Sequence, residues 1–337
     1  MAAVAGSSGD GWVPDVLGEP YEQLTLPLKD DVEGDVVATL VRRRESPFDG
    51  IRSVFGDSRG WDVLYVHGWS DYFFQTELAE YWHGRGARFH ALDLRKYGRS
   101  LRPHHTPGYA TSLTVYDEDI EAALTVMGHG LDADRSSRRL LLIGHSTGGL
   151  TLSLWADRHP DRVDALILNS PWLEFQAGAI GRRAIAPLAN IGARIDPKAP
   201  LPNVDLGFYT RAVSKTMDGE WEYNTDWRPA RGFPAHPAWL AAVLAGHNRV
   251  ASGLAISAPV LTLLSARSTL SATWLPDMLS SDIVLVVDEI AEQSLRLAPT
   301  VTVARIDGAL HDVLLSRPAV RAVAYGEITR WASAYLD

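Results

Sequence analysis

The chain of 337 residues carries 32 Lys and Arg against 41 Asp and Glu, a net charge of -9, with 46% hydrophobic and 22% charged residues and no cysteine. That length and composition supply a large core and exclude a disordered chain, a fibrous repeat or a disulfide-stapled miniprotein. The absence of cysteine removes thiolate chemistry and fits a cytoplasmic protein. The acidic balance argues against a nucleic-acid groove or a polybasic membrane footprint and favours a small neutral or apolar ligand.

Residues 1–20 open with MAAVAGSSGDG, lack the basic start and apolar run of a secretory signal, and read as a flexible tail. Short β-branched or leucine-rich runs follow at 36–43, 61–66, 89–93, 140–143, 165–168, 260–264 and 301–306 and read as strands. Amphipathic stretches of helical length lie between several of them, at 75–84, 113–127 and 149–158, the last stopped by Pro160. This alternation predicts an α/β fold with a mostly parallel sheet covered on both faces. From 173 to 254 prolines, glycines and scattered aromatics break the rhythm, which points to a cap or lid inserted into a core formed by 21–172 and 255–337. No window is long and apolar enough for a membrane span.

The strongest local signal is RLLLIGHSTGGLTLSLW at 139–155, an apolar strand running through Gly144-His145-Ser146-Thr147-Gly148 into a helix-compatible segment. Ser146 would sit on a strained turn where strand and helix converge, so the positions two residues to either side must be small. A serine hydroxyl is a poor nucleophile until a positioned base takes its proton. Of the eleven histidines, only His236, His247 and His311 follow the serine with room for the order nucleophile, acid, base. The first two belong to the insertion, whereas His311 lies just beyond the last predicted strand, where a side chain can swing toward Ser146. The acid has three candidates after strand 260–264, namely Asp277, Asp282 and Asp288. Asp282 is preferred, because Asp288 is accounted for as a helix-start charge. The N–H of Thr147 and that of Trp69, in the glycine turn after strand 61–66, would form the oxyanion hole. His67 reads as a turn-stabilising side chain, and the His104-His105 pair as solvated loop residues rather than metal ligands, so no metal is expected. Among the eleven tryptophans, Trp69 and Trp172 are the candidate pocket walls, while Trp221, Trp227 and Trp239 read as cap anchors.

The His67-Gly68 turn, the run Asp93-Leu94-Arg95-Lys96-Tyr97-Gly98-Arg99-Ser100, Gly144 to Gly149, and Gly308-Ala309-Leu310-His311-Asp312 together resemble the α/β-hydrolase superfamily, in its monoacylglycerol lipase and lysophospholipase branch of serine aminopeptidase-like hydrolases. The resemblance covers residues 36–335. It implies an eight-stranded sheet, a helical lid, no cofactor, and hydrolysis of a small-molecule ester through an acyl-enzyme. One departure stands out. Members commonly carry the acid in a glycine-aspartate turn right after the penultimate strand, whereas this chain has Arg267-Ser268 and thirteen more residues before Asp282. Amide, lactone or carbon-carbon bond cleavage would use the same groups, and a non-catalytic binding protein on this fold is the reading from another class.

Overall fold

The computed structural model describes residues 11–44, 58, 60–131, 137–176, 178–203 and 205–336. Its centre is one nine-stranded sheet in the order β1-β2-β3-β5-β4-β6-β7-β8-β9. The strands are β1 (Val13–Pro14), β2 (Tyr21–Pro27), β3 (Val37–Arg43), β4 (Trp61–Val66), β5 (Arg88–Asp93), β6 (Arg139–His145), β7 (Ala165–Asn169), β8 (Val260–Ser265) and β9 (Val301–Ile306). The first three run antiparallel at one edge, and β4 to β9 are parallel. The seven expected strands are all present, each within one or two residues of its predicted bounds. The eight implied by the resemblance are β2 to β9, and β1 is a two-residue addition at the edge.

Strands β4, β6, β7 and β8 are near-continuous apolar runs because both of their faces are covered. Alternate residues feed two cores. Leu64, Val66, Leu140, Leu142, Leu166 and Leu168 face one layer, while Val63, Tyr65, Leu141, Ile143, Ala165 and Ile167 face the other. The first layer packs on α2 (Tyr116–Met127) and α3 (Thr147–Arg158), and the second on α1 (Thr76–Gly84) and α8 (Pro318–Tyr335). Helix α2 carries Asp117, Glu118 and Asp119 in its first turn and ends at Gly128 in the left-handed conformation, with charge and cap both matching the helix dipole.

Between β7 and β8 the chain runs through α4 (Gly178–Ile195), α5 (Phe208–Val213) and α6 (Pro237–Ala251), the helical cap; α7 (Val287–Ser294) follows β8. The cap is tied down by polar bonds of different kinds. Phe233 N–H donates to Ser70 Oγ, Asn224 N–H to Tyr72 Oη, and Trp221 Nε1–H to the Leu315 carbonyl. Lys198 pairs with Glu33 at 2.6 Å, and the buried Arg228 with Asp71 at 3.1 Å. Trp227 packs edge-on against Tyr72, and Trp239 lies 3.8 Å from Trp69 between ring centroids, so all three cap tryptophans touch the core.

The expected tail over 1–20 needs correction for its second half; residues 1–10 lie outside the described residues. Trp12 is buried under the Arg42 guanidinium, and Asp15 makes a bidentate pair with Arg99, which also holds Asp93. A run of Gly, Asp and Pro has no periodicity of its own, and it is ordered by a buried cation far along the chain. His105 also departs from the expectation of a solvated pair. It is buried, accepts from Arg102 N–H and bonds the Asp35 carbonyl, so it closes a loop.

Replacing Asp15 with Ala removes one of two carboxylates from a buried guanidinium, so urea unfolding is expected to show a loss of about 3 kcal/mol. Glu19→Ala, at an exposed pair, is expected to cost under about 0.5 kcal/mol in the same measurement. Burial pushes the Glu33 carboxyl up, but hydrogen bonds from Lys198, Lys96 and Thr106 outweigh it and hold the group at about 2, against 4.5 in a free side chain. The stabilisation is therefore complete above about pH 4.5 and is lost as pH falls toward 2. Acid titration of stability is expected to flatten across that window in Glu33→Gln.

Candidate active site

Ser146 stands between the last residue of β6 and the first of α3, with φ of 51° and ψ of -117°. A non-glycine residue at positive φ is strained, and the neighbourhood allows it by being small. A Cβ on Gly144 would lie 2.7 Å from the Gly149 Cα, and one on Gly148 would overlap the carbonyls of Val66 and His67. Gly68 closes on the opposite side, where an added Cβ would come within 3.0 Å of the Ser146 Cβ. Three backbone segments thus meet at the serine. Its own N–H donates to the Asn169 carbonyl at 3.1 Å, and its carbonyl accepts from Trp172 N–H at 3.0 Å.

The expected partners converge here. The Ser146 hydroxyl lies 3.1 Å from His311 Nε2, and His311 Nδ1 lies 2.9 Å from Asp282 Oδ2. All three side chains are buried, Asp282 completely. The other oxygen of Asp282 accepts from the N–H groups of Val284 and Leu285 at 2.7 and 2.8 Å, which fixes the carboxylate plane. This pattern assigns the proton to Nδ1 and leaves Nε2 as an acceptor for the serine O–H.

The puzzle of the displaced acid resolves in the backbone. Asp282 N–H donates to the Arg267 carbonyl, Thr269 N–H donates to the Asp282 carbonyl, and Ser268 and Asp282 form a single parallel bridge. Residues 269–281 therefore leave and return to one point just beyond β8. The acid reaches the strand end through pairing rather than through chain position. The rejected candidates sit elsewhere: Asp288 is exposed and paired with Arg305, and Asp277 is exposed and paired with Arg267.

Thr147 is the first residue of α3, so its N–H has no carbonyl one turn behind it. Trp69 follows Gly68 in the turn that touches Ser146. His67 does not join the three. Its Nδ1 bonds the Gly68 carbonyl and its Nε2 accepts from Leu94 N–H, which ties the ends of β4 and β5 together. His236 bonds the Lys198 carbonyl at the start of α6, and His247 bonds the Trp172 carbonyl, with burial lowering its pKa to about 4. Trp69 and Trp172 both meet Trp239 with tilted rings, and Phe233 and Tyr97 meet Trp69 edge-on.

Sequence reasoning missed a clamp beneath the site. Asn169, the last residue of β7, donates from Nδ2 to Asp312 Oδ1 and accepts from Val313 N–H at 3.0 Å. Its carbonyl also accepts from His145 Nδ1. One side chain therefore binds the segment carrying His311 while its main chain binds the segment carrying Ser146. Burial lowers the pKa of His145, which keeps it neutral beside the His311 ring. Tyr209 of α5 adds a cap contact. Its hydroxyl accepts from Asp312 N–H, and its ring meets His311 edge-on. The only signals available were a polar residue ending an apolar strand and a carboxylate beside the histidine.

A family model for the serine aminopeptidases S33 matches residues 58–315. A monoacylglycerol lipase of Mycolicibacterium smegmatis is 24% identical over 296 residues, covering 85% of this chain and 95% of that protein. Among solved structures, the monoacylglycerol lipase of Paleococcus ferrophilus superposes with a TM-score of 0.60 at 22% identity, covering 83% of this chain and 96% of that one. A soluble variant of monoglyceride lipase from Saccharomyces cerevisiae does so with 0.60 at 14% identity, covering 92% and 96%. These superpositions show a shared fold. Among the described residues no helix is long and apolar enough to cross a membrane.

Two substitutions test the frame around the serine. Gly148→Ala would drive a methyl into the carbonyls of Val66 and His67, and is expected to lower both melting temperature and fluorophosphonate labelling of Ser146. Asn169→Ala is expected to slow labelling by about tenfold or more, a 1.4 kcal/mol effect, while near-ultraviolet circular dichroism stays native.

Proposed function

We propose that this chain, which belongs to the serine aminopeptidase S33 family of α/β-hydrolases, cleaves carboxylic esters of lipid-like or small apolar or aromatic type through an acyl-enzyme. The observation that carries the reading is the continuous path Ser146 Oγ, His311 Nε2, His311 Nδ1 and Asp282 Oδ2, with both gaps at hydrogen-bond distance. Ser146 attacks the ester carbonyl as its proton passes to His311 Nε2. The oxyanion is received by the N–H groups of Thr147 and Trp69, and stabilising the negative charge that develops there is usually the largest single contribution to catalysis of this kind. His311 returns the proton to the leaving alcohol, and a water repeats the sequence against the acyl-serine. Asp282 stays ionised and holds the imidazole in its tautomer. No cofactor enters any step.

Trp69 and Trp172 are the proposed walls for the apolar part of the substrate, one beside the oxyanion turn and one bonded through its backbone to Ser146. Two relatives named for monoacylglycerol and monoglyceride support a lipid-like ester over an amide, since an alkoxide leaves with less assistance than an amine. Amidase, lactonase and carbon-carbon bond hydrolase chemistry remain alternative uses of the same groups.

The test is hydrolysis of para-nitrophenyl esters of short, medium and long acids, with intact-mass detection of a fluorophosphonate adduct. Turnover and a single adduct are expected, both lost in Ser146→Ala. Asp282→Ala is expected to lower kcat by about 10⁴-fold, in line with loss of the carboxylate in other triads. Asp288→Ala should stay within about twofold of wild type, since surface changes away from the site are usually near neutral. A folded protein with neither turnover nor adduct would leave only the ligand-binding reading.

A further inference from the structure

The imidazole of His311 is bonded through its two nitrogens to Asp282 and Ser146, and its ring is flanked by two others. The His145 ring, from the serine turn, lies 5.0 Å away between centroids, and the Tyr209 ring, from α5 of the cap, lies 5.5 Å away at 76°. The bond to Asp282 leaves the imidazole free to pivot about Nδ1, and during turnover the bond to Ser146 is given up as the proton moves. The flanking rings must then hold the plane of the base. The demand is strict, because a misplacement of about 1 Å can cost about a hundredfold in rate.

Tyr209 is itself seated by a buried cation. The Arg228 guanidinium carbon lies 5.1 Å from the centroid of the Tyr209 ring, 4.5 Å from that of Tyr223 and 5.7 Å from that of Phe74, and Arg228 Nε faces Asp71 Oδ1 at 3.1 Å. Asp71 lies two residues beyond Trp69 in the proposed oxyanion turn. Arg228 thus stands between the ring beside the base and the loop beside the oxyanion. Its bonding sets it apart from Arg99, which saturates its guanidinium with Asp15, Asp93 and the Phe73 carbonyl. Arg228 Nη1 has no hydrogen-bond partner among the described residues, although both members of the pair are buried. A buried ion pair so sparsely bonded gains little over an apolar replacement, so its place at this junction points to orientation rather than stability.

We propose that the ring of Tyr209 is a positioning element for His311, holding the imidazole plane, and that Arg228 keeps that ring and the oxyanion turn in one register through its contacts with Tyr209 and Asp71. The cap then completes the catalytic frame as well as covering it. The proposal rests on the ester-cleaving reading, in which His311 is the base.

The test is steady-state hydrolysis of a soluble short-chain para-nitrophenyl ester by full-length variants, together with the far-downfield proton resonance of the bond between His311 Nδ1 and Asp282. Tyr209→Leu is expected to lower kcat about 10- to 100-fold with KM within about threefold, and to broaden that resonance while near-ultraviolet circular dichroism stays native. Tyr209→Phe, which keeps the ring and drops the hydroxyl, is expected to recover kcat to within about threefold of wild type. Arg228→Met/Asp71→Asn, which removes the pair without stranding a buried charge, is expected to lower kcat about tenfold, and adding Tyr209→Leu to it should cost less than the product of the separate losses, since groups that act as a unit are not additive. If Tyr209→Leu fails to fold, Tyr209→Met takes its place. A Tyr209→Leu enzyme with native kcat and an unchanged resonance overturns the proposal. So does a Tyr209→Phe enzyme as slow as Tyr209→Leu, which would give the role to the hydroxyl, and so do losses that multiply in full. A wild type with neither turnover nor fluorophosphonate adduct removes the ester-cleaving reading and this proposal with it, whereas an active wild type with unaffected variants removes this proposal alone.

Discussion

Everything in the site depends on how closely backbone can approach Ser146. The serine is held at positive φ because Gly144, Gly148 and Gly149 let α3 start against the end of β6, and Gly68 lets the β4 turn close from the other side. A side chain at any of these glycines would separate the segments. The turn that would offer the Trp69 N–H, the helix that would offer the Thr147 N–H and the strand that delivers the serine are therefore positioned by one set of close contacts. Asn169 extends that arrangement by one strand, coupling the serine turn to the histidine loop through its main chain and side chain together.

The rest of the molecule can be read as the support for this junction. Four strands buried on both faces make a stiff platform, and β4, β6 and β7 end at the same level, where their last residues meet. The cap reaches the platform through aromatic contacts at Trp69 and Tyr72, and through the Arg228–Asp71 and Lys198–Glu33 pairs. Asp71 lies two residues beyond Trp69, so the anchoring of the cap and the placement of the oxyanion turn share one short loop.

Legibility in the sequence followed the range of the interactions. Ser146 could be read because its requirements are local, and the central strands because burial on both faces leaves an unbroken apolar run. His311 could be read from its order in the chain. Asp282 was the favoured acid, but the reason it reaches the histidine lies in main-chain pairing with Arg267 and Thr269, which leaves no mark in composition. Asn169 and Asp312 were missed because their bond joins positions far apart. Trp12 and Asp15 were missed for the same reason, since their order derives from Arg42 and Arg99. Helix α4 went unread because Gly181, Pro187 and Gly192 fall inside it and made the stretch 173–254 look irregular.

The excursion at 269–281 separates two properties that usually go together, the position of a residue along the chain and its position in space. Because the two main-chain bonds of the Ser268–Asp282 bridge dock Asp282, its place beside β8 is set by pairing and not by the number of residues between them. The excursion itself packs on the cap, with Met278 buried and Trp274 against Phe208 and Arg211, so a change of its length that keeps those contacts leaves the register of the acid to the bridge. Among relatives with different excursions, the equivalent aspartate is thus to be sought by its pairing partner and not by counting from the strand.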